Sequence, residues 1–489
     1  MIRWGILGAG NIAHRFSASL AHEDGAQLVA AACRTQEKAE AFLTEVPHAE
    51  NARAYGSFDA LLADPEVDAI YLALPHAFHH EWALKAIKAG KAVLCEKPAM
   101  LTAQEMAEVA DAAREAGVLF MEAMKPRFVP LYQQVVDATK EIGTLTAVHT
   151  TLCNDMLAYV DVRPTYHMHG GAGAGVLLDS GTYCASWLDD FCPGVPVLTG
   201  IAGTIKDGVD IYVNATMDYG GLEATLECAF ERGKPRTATI VGTKGSIYVE
   251  ELHRPQRAVL TLDDGTQRVL EAPYYIDDFY GEIHHFCELL RAGATESPIM
   301  PLKDSVHCAL VLDTIRAAFT PTPDTLKVLE EQERVLRYPE RFGADEALAL
   351  GNRITQLVRT CERYDREVTI QITRESDGMQ LFALSMDSKA PRNYDYVAGK
   401  RGASLTCGHS SAYLQQQMVL EGKADQLFAQ MPDVMPSAGA FPIRLAGSDE
   451  VVATLCVSGL HEGLDHELMV RALEEELGVK APALTTIVF

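Results

Sequence analysis

Ile2-Arg3-Trp4-Gly5-Ile6-Leu7-Gly8-Ala9-Gly10-Asn11-Ile12-Ala13 is the stretch from which the fold of the first part of the chain is read. A short apolar run of strand type meets two glycines and then a helical pattern. In Gly8-x-Gly10-x-x-Ala13 the first glycine permits a tight turn. The second lets the backbone approach a pyrophosphate, and the small third residue lets helix and strand pack closely. The N–H groups at the start of the helix then receive the phosphates. Gly8, Gly10, Asn11 and Ile12 are therefore candidate dinucleotide contacts.

Moving outward, short apolar runs alternate with helical patterns, which is the signature of βαβ units around a parallel sheet. Leu28–Cys33, Ala69–Ala73, Ala92–Cys95 and Val118–Met121 are the strand candidates. Thr102-Ala103-Gln104-Glu105 matches a capping box, and Gly117 suits the end of the helix that it opens. The second strand ends at Cys33-Arg34-Thr35, where NAD-binding domains place a carboxylate for the ribose. No acid stands there. Arg34 can pair with a 2′-phosphate and the Thr35 hydroxyl can add a bond, so NADP is the expected cofactor. NAD stays open, because a neighbouring loop can supply an acid.

The βαβ pattern ends near residue 124. From about Leu145 strands of alternating polarity follow, at Thr146–Leu152, Ile211–Tyr219, Glu223–Phe230, Thr237–Val241, Ser246–Val249 and Ala258–Leu262. With helices near 176–190, 277–292 and 303–318, they read as an α+β domain built on an open antiparallel sheet. Pro321 and Pro323 favour an extended connector. Beyond it, helices at Thr325–Leu336, Asp345–Cys361 and Leu464–Leu477 flank strands at Val368–Ile372, Leu381–Ser385, Phe441–Leu445 and Val451–Val457. This reads as a separate α+β domain. The expected organisation is a dinucleotide-binding domain over 1–124, a substrate and dimerisation domain over 125–319, and a third domain over 320–489.

Composition narrows the function classes. A length of 489 residues suggests roughly three domains. The formal net charge of −25 repels phosphate backbones, so no nucleic-acid partner is expected. No apolar run is long enough to span a bilayer. Eleven scattered cysteines without a C-x-x-C pair fit reduced thiols, and the first residues lack a basic n-region and a cleavage site. A cytoplasmic protein without a membrane partner is expected.

Lys97 follows a predicted strand in Val93-Leu94-Cys95-Glu96-Lys97-Pro98. Open α/β sheets bind ligands at such strand ends. Oxidising an alcohol requires a base near the hydroxyl and a nicotinamide facing the carbon. A lysine beside the positive nicotinamide ring is expected to lose its proton more readily, since a like charge disfavours its charged form. Asp179 and Tyr183 stand four apart and share one helix face.

These residues resemble the Gfo/Idh/MocA oxidoreductase family. Glu96-Lys97-Pro98 matches its E-K-P motif and Pro75-His76-Ala77-Phe78-His79 its P-x-x-x-H segment. Met121-Glu122-Ala123 with Arg127-Phe128 resembles the next strand and loop. Gly170-Gly171-Ala172-Gly173 leads into Asp179-Ser180-Gly181-Thr182-Tyr183, similar to the D-x-G-x-[YH] helix. The resemblance covers residues 1–319 and is nearest to the dihydrodiol/D-xylose dehydrogenase branch. The Lys125-Pro126 step departs from the aromatic-rich loop of that branch. The resemblance implies that Lys97, Asp179 and Tyr183 face the nicotinamide, that Pro75, His79 and Glu96 touch the cofactor, and that a cis peptide bond precedes Pro98. Lys97 is assigned as principal acid/base, Tyr183 as co-donor or relay, and Asp179 as substrate orienter, with the first two roles exchangeable. Arg127 and His167 join Asp179 as expected substrate contacts. His167-x-His169 lacks a third ligand at useful spacing, so no metal is expected.

Residues 324–489 resemble the haem-degrading-domain group, HbpS/GlcG-like, through segments such as Gly408-His409-Ser410-Ser411, Gly439-Ala440-Phe441-Pro442 and Asp465-His466-Glu467. Relatives of that kind assemble, so an assembly or binding role and a homo-oligomer are expected. His409, His461 and His466 read as loop polar groups rather than ligands. The whole chain reads as an NADP-dependent dehydrogenase or reductase of the CH–OH group of a sugar or polyol. The alternatives are a nicotinamide-assisted glycosidase, which recycles its cofactor, and a non-enzymatic cofactor or sugar sensor.

Overall fold

A computed structural model describes residues 1–159, 166–168, 171–206, 208–318, 323–361, 363–364, 366–389, 391–423, 426, 433–460 and 463–488. It groups into two compact units, Met1–Val197 with Asp207–Arg316, and Leu198–Lys206 with Ala317–Phe489.

The first unit begins with a βα alternation: β1 (Ile2–Leu7), α1 (Asn11–Leu20), β2 (Ala26–Ala32), α2 (Gln36–Glu45), β3 (Arg53–Tyr55), α3 (Phe58–Leu62), β4 (Ala69–Leu72), α4 (His79–Lys88), β5 (Ala92–Glu96), α5 (Ala103–Ala116) and β6 (Phe120–Ala123). The six strands are parallel in the order β3-β2-β1-β4-β5-β6. Helices cover both faces, so β4 and β5 are buried along their whole length, which is why they read as continuous apolar runs. The strand order reverses between β1 and β4, and a crevice opens there beyond the strand ends. At α5 the Thr102 hydroxyl accepts from Glu105 N at 3.0 Å as expected. The Glu105 carboxylate accepts from Leu101 N at 3.0 Å, one residue before the cap. Gly117 ends the helix in the left-handed region at φ 63.

The unit continues with α6 (Pro130–Ala138), β7 (Leu145–Cys153), a π-helical turn (Leu177–Gly181) and α7 (Thr182–Phe191). The chain then passes through β8 (Val197–Lys206) to β9 (Val209–Asp218), β10 (Glu223–Ala229), β11 (Thr237–Gly242), β12 (Gly245–Glu250), β13 (Arg257–Leu262) and β14 (Gln267–Glu271). Within this unit the strands run β14-β13-β12-β11-β7-β10-β9. The pairing is antiparallel except between β7 and β10, which are parallel. The sheet is thus open and mostly antiparallel. α8 (Tyr280–Arg291) and α9 (Leu302–Ala317) complete the region. Trp187 of α7 is fully buried and donates its indole N–H to Leu252 O at 2.9 Å.

The second unit holds α10 (Pro323–Val335), α11 (Ala344–Thr360), β15 (Thr369–Arg374), β16 (Gln380–Ser385), α12 (Arg392–Cys407), α13 (Ser411–Leu420), β17 (Ala440–Arg444), β18 (Val451–Ser458), α14 (Leu464–Leu477) and β19 (Thr485–Val488). Of the expected connector, residues 319–322 lie outside the described residues. Pro323 is the first residue of α10, where its missing N–H costs nothing. β16-β15-β18-β17 form an antiparallel sheet, and β8 pairs in parallel with β19. Ala453, Leu455 and Val457 of β18 join α11 and α14 in one core. Cys456 packs on the opposite face with Val397 of α12, as strand alternation requires. His409 Nδ1 lies 3.0 Å from a Glu333 carboxylate oxygen, and His466 Nε2 donates to the Gln332 side-chain carbonyl at 2.9 Å. Both are engaged polar groups; His461 lies outside the described residues.

All eleven cysteines are free thiols, and all are buried except Cys361 and Cys407, which are half-buried. No helix among the described residues is long and apolar enough to cross a membrane.

Candidate active site

A cavity of about 1180 Å3 occupies the crevice of the first unit. Its cofactor end is built by the glycine turn. Gly8 has φ +99, and a Cβ there would stand 2.6 Å from Ala73 O, so the turn between β1 and α1 requires glycine at this position. Gly10 is the N-cap of α1 and has no side-chain cap. A Cβ at Gly10 would meet no protein atom within 4 Å, and the residue lines the cavity. The bare backbone thus faces open space at a helix N-terminus, which fits a pyrophosphate. Asn11, Ile12 and Pro75 also line the space, and Ala13 is fully buried against the sheet.

At the end of β2, Arg34 lines the cavity as expected, together with Lys38, which the sequence reading missed. Lys38 lies one helical turn beyond Arg34, and that spacing was the available signal. Thr35 does not line the cavity. Its hydroxyl caps α2 by accepting from Lys38 N at 3.4 Å, which corrects its expected role as a cofactor contact. Glu45 also reaches this end and is held 2.9 Å from His14 Nε2.

The reacting end gathers residues from three separate segments. Lys97, just after β5 and joined to Pro98 by a cis bond, donates from Nζ to Asp179 O at 2.8 Å and to Asp179 Oδ1 at 3.0 Å. Its ammonium lies 4.8 Å from the centre of the Tyr183 ring. Asp179 sits in the π-helical turn and Tyr183 in the first turn of α7, so the two side chains share a face across the junction. Burial works against the Lys97 charge, but Asp179, Tyr183 and Glu96 outweigh it and hold the ammonium well above its ordinary range. Burial likewise opposes the Asp179 charge, yet Lys97 and His167 hold that carboxylate well below its usual range. Lys97 is therefore held as a cation by the carboxylate that stands beside it.

Burial raises the Tyr183 hydroxyl above its ordinary value, while Lys97 and Lys125 pull it back. Glu96 reaches the cavity wall, accepts from the Tyr71 hydroxyl and from Lys97 N, and is pushed up by burial. His167 lines the site with Nε2 3.7 Å from Asp179 Oδ1. Its ring centre is 5.1 Å from that of His76, a lining residue of the P-x-x-x-H segment not singled out from sequence. His169 and Gly170 lie outside the described residues.

Two expected contacts stand elsewhere. His79 is fully buried behind the wall, with its ring nitrogens 2.8 Å from Leu74 O and 3.1 Å from Pro98 O. It supports the loops that carry Pro75 and Lys97 rather than lining the cavity. Arg127, expected as a substrate contact, has a side chain 1% exposed. Its guanidinium is bound to Asp189 at 2.5 Å, Asp304 at 2.8 Å and Ser186 Oγ at 2.9 Å, with Asp190 at 3.4 Å. It ties α7 to α9 and does not line the cavity. These three aspartates, whose oxygens lie within 4.8 Å of one another, are the acidic cluster found among the described residues, and Arg127 supplies its cation. Arg15 and Lys125, in contrast, line the cavity without having been expected there.

Comparison with known proteins follows the same division. Residues 2–124 match the GFO/IDH/MocA model, described as an oxidoreductase family with an NAD-binding Rossmann fold. Residues 132–248 match the GFO/IDH/MocA C-terminal domain, and residues 342–474 match the haem degrading protein HbpS-like model. Mouse trans-1,2-dihydrobenzene-1,2-diol dehydrogenase is 33% identical over 338 residues, which is 66% of this chain and 98% of that protein. The scyllo-inositol 2-dehydrogenase (NADP(+)) of Bacillus subtilis is 30% identical over 326 residues, covering 65% of this chain and 96% of the relative. Among solved structures, a 3-ketoreductase from Actinomadura kijaniata in complex with NADP and TDP-benzene superposes with a TM-score of 0.58 at 26% identity. That match covers 65% of this chain and 97% of the reductase.

Proposed function

Because the chain belongs to the Gfo/Idh/MocA oxidoreductase family, we propose that it is an NADP-dependent dehydrogenase or reductase acting on the CH–OH group of a sugar or polyol. The observation that carries this reading is the meeting of Lys97, Asp179 and Tyr183 at the inner end of the cavity that begins at the glycine turn. The named relatives act on a dihydrodiol and an inositol, and two of the matched proteins are named with NADP. Arg34 after β2 and Lys38 in α2, with no carboxylate in Cys33-Arg34-Thr35, support a 2′-phosphate. The dinucleotide, when bound, supplies or accepts the hydride.

The chain's own residues handle the proton. Lys97, loaded with its proton by Asp179, is suited to donate to the oxygen of a carbonyl as it becomes an alcohol. In the oxidising direction Lys97 must first be neutral so that it can take the hydroxyl proton. A positive charge brought near it favours that loss. Tyr183 relays or shares the proton, and the Asp179 carboxylate orients the substrate hydroxyl along with His167. The C-terminal unit, residues 320–489, is read as an assembly or binding module.

Absorbance screening of sugars and polyols with NADP and NAD tests the reading. NADPH is expected to accumulate in step with product, whereas a cofactor-recycling glycosidase would accumulate none. Lys97→Ala and Tyr183→Phe should lose turnover, by about 10²–10⁴-fold for the lysine, while NADP binding persists. Undiminished turnover in Lys97→Ala sinks the assignment.

A further inference from the structure

Lys125 begins the short turn Lys125–Phe128 after β6. Its side chain is 8% exposed and its Nζ lies 2.5 Å from Asp278 Oδ2. Asp278 is shared, because Arg15 of α1 also bonds it. Both cations pack on the Phe279 ring, with centre distances of 4.5 Å for Arg15 and 5.0 Å for Lys125. Arg15 and Lys125 line the cavity, and the acid that they share does not.

Two ion-paired groups stand side by side at this end. Lys97 and Asp179 neutralise each other. Arg15 and Lys125 share one carboxylate, which they hold below its usual range against the effect of burial. Of the other acids nearby, Glu96 and Glu282 are pushed up by burial, and the Asp277 carboxylate accepts from Ser19 Oγ, Phe279 N and Tyr280 N. The His253 ring, 5.9 Å from the Tyr183 ring, is pushed down to about 3 by burial and then by Lys125, Arg254 and Arg236. An ammonium carries three donors, and the hydrogen bond of Lys125 to Asp278 engages one of them. The ammonium stands 6.0 Å from the centre of the Tyr183 ring, within the span of a small sugar whose reacting carbon lies at Lys97.

We propose that Lys125, backed by Arg15, receives an anionic group of the substrate, so that the chain acts on a hydroxylated compound bearing a carboxylate or phosphate a few bonds from the reacting carbon. This rests on the dehydrogenase reading above and names its substrate class. A charge-assisted bond to such an oxyanion is shorter and stronger than one to a neutral hydroxyl, and it selects the acid over its neutral parent.

The test uses the full chain loaded with NADP. Calorimetry compares a sugar acid, a sugar phosphate and the neutral parent polyol on the wild type, Lys125→Met and Lys125→Arg. The acid or the phosphate is expected to bind the wild type at least about tenfold more tightly than the neutral polyol. Which of the two wins identifies the anion. Lys125→Met should erase the preference with NADP affinity unchanged, and Lys125→Arg should keep it. The proposal is overturned if the neutral polyol binds as well as both anions or if none of the three binds. Equal weakening of NADP and all three ligands by Lys125→Met also overturns it. Absence of turnover with every compound defeats the dehydrogenase reading alone, because the binding comparison does not depend on turnover.

Discussion

Asp179 touches Lys97 twice, through its backbone carbonyl and through its carboxylate. Only the second contact carries charge. Asp179→Asn keeps the carbonyl and removes the anion that holds the Lys97 proton. With burial then unopposed by that acid, the lysine gives up its proton at lower pH. In the reducing direction, where Lys97 must be protonated, the fall in rate on the basic side should move down by about one to three pH units. A profile of carbonyl reduction against pH measures this, and an unmoved limb would remove Lys97 from the role of proton donor. Lys97, Asp179 and Tyr183 were legible in the sequence because each sits in a short motif. The place of Arg127 was not, since its partners Asp189 and Asp304 stand 62 and 177 residues away. Nor was the contact between Lys97 and Asp179, which stand 82 residues apart.

The β1–turn–α1 element separates what folding needs from what the ligand needs. Gly8→Ala places a side chain at positive φ and against the Ala73 carbonyl, so it should destabilise the protein by about 1–3 kcal/mol. Gly10→Ala adds a Cβ that meets no protein atom and should leave the melting temperature nearly unchanged, while weakening NADP binding more than about tenfold. Thermal melts and cofactor titration of the pair check the contrast. The buried strands β1, β2, β4 and β5 were readable as apolar runs. β14 was not, because nearly all of its residues are exposed and no alternation shows. α12 and α13 escaped for the converse reason: they bury Lys400, Ser404, Ser411, Gln415 and Gln416, so no apolar stripe marks their inner faces. The π-helical turn is invisible to spacing as well, although it still leaves Asp179 and Tyr183 on one face.

Over the whole molecule, acid response follows from buried groups whose protonation differs on unfolding. His466 is fully enclosed, and burial pushes it down to about 4. The unfolded chain takes up this proton below its ordinary value near 6.5 and the folded chain does not. Stability from this group is therefore lost as the pH falls from about 6.5 towards 4, by about 2 kcal/mol between pH 7 and pH 5. Asp210 in the other unit, pushed up to about 7 by burial, acts in the opposite sense over the same range. The comparison must therefore be between variants: unfolding of His466→Gln should lack that part of the pH dependence found in the wild type. Parallel curves for the two proteins would contradict the neutral burial of His466.

The distribution of thiols has a practical side. Nine of the eleven cysteines are closed to solvent, and the two partly open ones, Cys361 and Cys407, both belong to the C-terminal unit. A maleimide dye added to the native protein should attach at no more than two positions per chain, against eleven after denaturation. The chain thus carries its own labelling handles, which place a fluorophore on the C-terminal unit.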